Sequence, residues 1–138
     1  MGVLASIFGR RGAASLGEQG EQAAARFLKR QGYKIIDRGC RSKVGEIDLV
    51  ALDGETIVLV EVKTRRTDAG GPPAEAVGPA KQRRLTRAAL AYLKARGLLE
   101  QRARFDVVAV IWPSGASEPT IQHLKNAFEP AGAGQFFS

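Results

Sequence analysis

The chain has 138 residues, enough for one domain with a sizeable core and too few for two. Its 44% hydrophobic and 25% charged content is that of a globular protein. No apolar run approaches the ~20 residues that span a bilayer, and one Cys and one His rule out an internal disulfide, a multi-thiolate zinc site and a two-histidine metal motif.

With 21 Lys and Arg against 14 acids, the net charge is +7. Such a balance favours polyanionic partners, nucleic acid ahead of an anionic membrane or plain solubility charge. Residues 1–14 read as a flexible basic tail. Their short apolar stretch precedes Arg10-Arg11, unlike a secretory signal, and no second anchor supports the loose myristoylation pattern at the start. The expectation is a cytoplasmic protein with no membrane partner.

Ser15-Leu16-Gly17-Glu18 fits a capping box, so a helix should follow with Ala24, Phe27 and Leu28 on its buried stripe and Gly32 closing it. Three strand-like segments come next: Tyr33–Asp37, Glu46–Leu52 and Thr56–Thr64. The last two flank Asp53-Gly54, a strong hairpin signal. Gly70-Gly71-Pro72-Pro73 marks a surface loop, and Gly78-Pro79 opens a second helix that runs to about Arg96. Its first half carries Lys81, Arg83, Arg84 and Arg87. Phe105–Trp112 predicts an interior strand, Thr120–Leu124 a weaker one, and residues 129–138 a disordered tail. The order αβββαββ over residues 15–128 describes one α/β domain with a mixed sheet flanked by helices.

The hairpin concentrates the chemistry. A two-residue Asp53-Gly54 turn pairs Leu52 with Glu55, which sets Glu46 opposite Glu61 and Asp48 opposite Leu59. Period-two alternation then places Glu46, Asp48, Glu61 and Lys63 on one face and Ile47 with Leu49 on the other. Like charges facing each other in a sheet are destabilising, and a hard divalent cation with a phosphate would supply the missing charge. A solvated outer face with Lys63 pairing Glu61 is the plain alternative. Glu21, one turn beyond Glu18, can bring another acid from the first helix.

Asp48 followed by Glu61-Val62-Lys63 resembles the PD-(D/E)xK nuclease core of restriction endonucleases and archaeal Holliday-junction resolvases. Three strings in order carry a closer resemblance: Gly45-Glu46-Ile47-Asp48-Leu49-Val50, then Val60-Glu61-Val62-Lys63-Thr64-Arg65, then Arg104-Phe105-Asp106-Val107-Val108. With Gly17, Glu21, Lys81 and the closing Lys125-Asn126-Ala127-Phe128, they resemble the uncharacterised bacterial YraN-type family from about Gly17 to Phe128.

The resemblance implies a restriction-endonuclease-like α/β fold and a metal-dependent nuclease that uses Mg²⁺ or Mn²⁺. Asp48, Glu61 and Glu21 would be the metal ligands, and Lys63 would hold the attacking water and the scissile phosphate. Arg65, Lys81, Arg83, Arg84 and Arg87 would grip backbone phosphates. DNA is favoured over RNA, with structure-specific DNA a candidate substrate. A homodimer fits a reaction on two strands, although no interface is legible. Glu46 is left as a second-site ligand or a salt-bridge partner. Asp106 reads as a structural acid bonding Arg104 or a backbone group. The rival readings are a non-catalytic nucleic-acid-binding protein of the same fold and a basic adaptor for an acidic protein.

Overall fold

Ser15 starts the first helix as the sequence expects. In the computed structural model, which describes residues 14–72, 75 and 77–130, its hydroxyl accepts from the Glu18 N–H while the Glu18 carboxylate accepts from the Ser15 N–H. Helix α1 (Leu16–Arg30) buries Ala23, Ala24, Ala25 and Leu28, and β1 (Lys34–Ser42), β2 (Gly45–Asp53) and β3 (Thr56–Arg65) follow it. Helix α2 (Pro79–Ala95) begins with Pro at its first turn, and β4 (Ala103–Ile111) and β5 (Thr120–Phe128) complete the expected order. Of the expected tails, all but Ala14, Glu129 and Pro130 lies outside the described residues.

The strands form one mixed sheet in the order β1-β2-β3-β4-β5, with β3 and β4 parallel and the other neighbours antiparallel. A parallel pair needs a crossover, and α2 lies in that connection. The helices take opposite faces. Leu28 and the α1 alanines pack on Leu49, Ala51, Val58, Val60, Val108 and Val110. Leu85, Ala89, Tyr92 and Leu93 of α2 pack on Val50, Ile57, Leu59, Phe105 and Val107. The sheet is thus apolar on both sides, which is why β4 carries almost no polar residue apart from Arg104 and Asp106.

Two expectations need correction. Strand β1 runs five residues beyond its predicted C-terminal limit, to Ser42, and β5 four beyond its own, to Phe128. Both are edge strands, so ladder hydrogen bonds hold them in the sheet where their side-chain pattern shows little alternation. The β2–β3 turn is also displaced. Asp53 pairs with Thr56, leaving Gly54-Glu55 as the loop, and Gly54 takes φ +62 as its first residue. Glycine first is the arrangement of a type II′ turn; it spares Asp53 a left-handed backbone and adds one pair to the ladder. In this register Asp48 falls opposite Glu61 rather than Leu59.

Among the described residues no helix is long and apolar enough to cross a membrane.

Candidate metal and nucleic-acid site

The last pair between β2 and β3 toward the site is Leu49 with Val60, and beyond it the ladder gives way. Ile47 belongs to the α2-side core and Leu49 to the α1-side core. The chain therefore turns over at Asp48 and does not alternate there, which corrects the expectation that Ile47 and Leu49 share a face. The Asp48 carboxylate projects toward β3, and its Oδ2 accepts from the Val62 N–H at 2.8 Å.

Helix α1 meets this opening because of a glycine. A Cβ on Gly20 would lie 1.8 Å from Oγ1 and 2.8 Å from Cβ of Thr64 on β3, so only glycine lets the helix approach so closely. The next residue is Glu21. Its carboxylate, that of Glu46 and that of Asp48 each offer an oxygen within 4.8 Å of the others. Glu61, 5% exposed, stands beside this trio and pairs with Lys81 Nζ at 2.6 Å. Glu46 also receives Arg41 Nε at 2.9 Å, an exposed pair of small energetic weight.

The electrostatics follow from this crowding. Burial, then the Glu61 charge, and then Glu21 and Glu46 push the Asp48 pKa up to about 7, against the opposing Val62 hydrogen bond. Glu21 is raised as well, first by burial and then by Glu46, Glu61 and Glu18, with a hydrogen bond to Asp48 opposing the shift. The two carboxyls are close enough to share a proton. Oxygen-only donors in this density suit a hard divalent cation such as Mg²⁺ or Mn²⁺, whose charge would relieve the repulsion that raises both groups.

The structure thus brings Glu21 and Asp48 together with Glu46, the acid the sequence left without a fixed role, and sets Glu61 alongside in its ion pair. Lys63, two residues on from Glu61, lines a small pocket with Arg65, Asp68, Ala109, Ile111 and Gln122. Among the described residues no acid lies within ion-pair distance of Lys63, so the Lys63–Glu61 pair of the plain alternative does not form and Glu61 pairs with Lys81 instead. Arg65 folds back under the following loop, where a Cβ on Gly70 would come within 2.5 Å of its Nη1. Arg83, Arg84 and Arg87 are exposed on α2, again without an acid partner among the described residues. Gln82 instead secures the start of its own helix, donating from Nε2 to the Val77 carbonyl at 2.9 Å.

Asp106 proves structural. It is fully buried and takes Arg104 Nε at 2.9 Å, the Asn126 N–H at 2.9 Å and His123 Nε2 at 2.7 Å. Burial opposes its ionisation, but the hydrogen bonds with His123, Arg104 and Asn126 outweigh it and hold the pKa below the usual range. Arg104 extends the network to Asp53 and the Tyr33 hydroxyl. His123, to which the sequence assigned nothing, belongs to this cluster; 17 residues separate it from Asp106, and no local pattern marks the pairing. Cys40 is half-buried, with a thiol pushed up to about 11 by burial and the Asp37 charge, so it stays a thiol at neutral pH.

Comparison with known proteins follows this geometry. Residues 20–110 match the family model described as "Uncharacterised protein family UPF0102". A UPF0102 protein of Geotalea uraniireducens (strain Rf4) is 53% identical over 117 residues, covering 85% of this chain and 91% of its own length. One from Geobacter sulfurreducens is 53% identical over 116 residues, covering 84% of this chain and 90% of its own. One from Rhodopirellula baltica is 48% identical over 127 residues, covering 90% of this chain and 76% of its own.

Proposed function

The chain belongs to the uncharacterised UPF0102 (YraN-type) family, and we propose that it is a divalent-metal-dependent nuclease hydrolysing phosphodiester bonds in nucleic acid, DNA ahead of RNA. The observation that carries this reading is the convergence of Glu21, Glu46 and Asp48, whose carboxylates each offer an oxygen within 4.8 Å of the others. The exposed arginines of α2 support it, since a cationic helix beside an acidic centre suits a phosphate backbone whose one scissile group must approach carboxylates. The mixed sheet between two helices is compatible with a restriction-endonuclease-like core.

In this reading Asp48, Glu21 and Glu46 hold the cation and Glu61 adjoins them as a fourth acid. Bound Mg²⁺ or Mn²⁺ would polarise the phosphate and lower the pKa of the attacking water. Lys63 holds the attacking water and the scissile phosphate. Arg83, Arg84 and Arg87 hold neighbouring phosphates. The water oxygen bonds to phosphorus, the ester P–O bond breaks, and the departing oxygen takes up a proton. The reading includes a cytoplasmic location and a homodimer that places one site on each strand.

The test is incubation of the purified chain with branched, duplex and single-stranded substrates in Mg²⁺, Mn²⁺ or EDTA. Cleavage by wild type in metal, abolished in EDTA and in Asp48→Asn, is the expected result. Salt-dependent binding without metal-stimulated cleavage in any substrate would overturn the nuclease and leave a binding protein. Absence of both would favour the basic adaptor.

A further inference from the structure

The turn that joins β1 to β2 is a built feature of the surface. Ser42 pairs with Gly45, so Lys43-Val44 form a two-residue tip. The Ser42 hydroxyl accepts from the Val44 N–H at 3.3 Å and donates to the Gly45 carbonyl at 3.1 Å, which ties the tip to its own strands. The tip is also braced from behind. A Cβ on Gly45 would lie 3.6 Å from both the Ala88 Cβ and the Arg84 carbonyl of α2, so hairpin and helix are in van der Waals range.

What this braced tip presents is unusual for a solvent-facing loop. Val44 is 41% exposed, and only it and Ile36 are large exposed hydrophobics among the described residues. Single exposed apolar side chains are ordinary on a surface, and Ile36 sits at an edge-strand bulge. Val44 differs in its surroundings. Lys43 precedes it, Arg84 and Arg87 stand on the adjoining helix, and none of these cations has an acid partner among the described residues. The acidic trio begins one residue beyond Gly45, and at ~3.3 Å per residue of strand Asp48 lies about 10 Å along from it. An apolar tip with Lys43 beside it and Arg84 on the helix that braces it matches a surface that is apolar in the middle and anionic at the margins.

We infer that the Lys43-Val44 tip is a recognition element for an interrupted nucleic-acid duplex, with Val44 packing on the base-pair face left exposed at a nick, end or branch and Lys43 and Arg84 holding the flanking phosphates. The inference rests on the reading of the protein as acting on nucleic acid, and it deepens that reading by naming the substrate class. A continuous duplex offers no exposed base face and would have to be unstacked, at a cost of a few kcal/mol per step. An interruption has already met that cost. The tip therefore discriminates by structure and not by sequence.

Binding in EDTA tests this without cleavage. Fluorescence anisotropy over a salt series would compare wild type, Lys43→Ala and Val44→Ser on a continuous duplex and on the same duplex carrying a nick or a branch. Wild type should prefer the interrupted substrates. Val44→Ser should lose about tenfold of that preference, the value of one apolar side chain removed from water, with an unchanged salt slope. Lys43→Ala should lower the slope of log K against log salt by about 0.9 on every substrate. Neither residue is buried, and equal melting temperatures would confirm intact folds.

No preference in wild type, or a preference retained by Val44→Ser, would overturn the tip even if metal-stimulated cleavage is found. A preference lost in Val44→Ser, alongside no cleavage in any metal, would sustain the tip and overturn the nuclease.

Discussion

Replacing Asp48 with Asn separates the site's charge from its shape. Asparagine keeps an oxygen able to accept from the Val62 N–H and adds an amide that can donate to Glu21. What it removes is a charge that burial, Glu61, Glu21 and Glu46 all disfavour. A carboxyl raised from 3.8 to about 7 corresponds to a ceiling of roughly 4 kcal/mol of desolvation and repulsion together at high pH. The strain is shared with Glu21 and Glu61, and the site opens to solvent and counterions, so deleting one charge should recover about 1–2 kcal/mol.

The sign fixes the pH window. The folded pKa lies above the unfolded one, so stability is fully present below about pH 4 and is lost as pH rises through about 7. Metal-free wild type should therefore melt progressively lower between pH 5 and 8.5, while Asp48→Asn loses less. Near pH 4 the two should nearly coincide, and at pH 8.5 in EDTA the variant should melt about 3–8 °C higher. Mg²⁺ or Mn²⁺ should raise wild type at pH 8.5 and leave Asp48→Asn almost unmoved. Asp48→Ala, which orphans the Val62 N–H, should fall about 1–2 kcal/mol below Asp48→Asn. A variant that melts below wild type at pH 8.5 in EDTA would refute the reasoning and make Asp48 a structural carboxylate.

Three further substitutions probe the frame around the site. Gly20→Ala should destabilise by about 1–3 kcal/mol in a denaturant titration despite alanine's better helix propensity, because the methyl meets Thr64, and Thr64→Ala in the same chain should recover part of the loss. Asp106→Ala should cost about 3–5 kcal/mol, since it removes the partner of His123 and of the Asn126 N–H and leaves Arg104 only Asp53 and Tyr33; in wild type the contribution of Asp106 is present above the unfolded carboxylate pKa and lost as pH falls through the lower folded one. Lys81→Met leaves Glu61 buried and unpaired, so it should melt lower in EDTA by about 1–3 kcal/mol and show a larger rise on adding Mn²⁺ than wild type does.

Local rules that involve one element carried well from sequence to structure. The capping box at Ser15 and Glu18, the proline that starts α2, and the continuous apolar run of β4 each depend on neighbours within a turn or a strand, and each stands where expected. Edge strands were less legible. Arg38-Gly39-Cys40-Arg41-Ser42 turns only the half-buried Cys40 toward the core, so its place in β1 depends mainly on backbone pairing with β2. The Asp53-Gly54 signal identified a hairpin, but one dipeptide fits two turn types a residue apart, and only the ladder as a whole decides between them.

Of the three acids that converge, Glu21 and Asp48 were candidates in the sequence and Glu46 had no fixed role, and the arrangement of all three was not legible. Glu21 and Asp48 meet because Gly20 admits the helix and because β2 turns over between Ile47 and Leu49, and neither event follows from a period-two pattern. The turning-over is informative about what Asp48 is for. Where the ladder ends, the Val62 N–H needs an acceptor, and the side chain at position 48 provides it. Any side-chain oxygen of that length would do, and an amide would do so without repelling Glu21, Glu46 and Glu61. The fold needs an acceptor at this position and has no use for a charge. A carboxylate there opposes stability at neutral pH, a conflict expected where local rules yield to a site's chemistry. On the proposed reading a bound cation would resolve that conflict, and it would do so only if the residue at 48 is an acid.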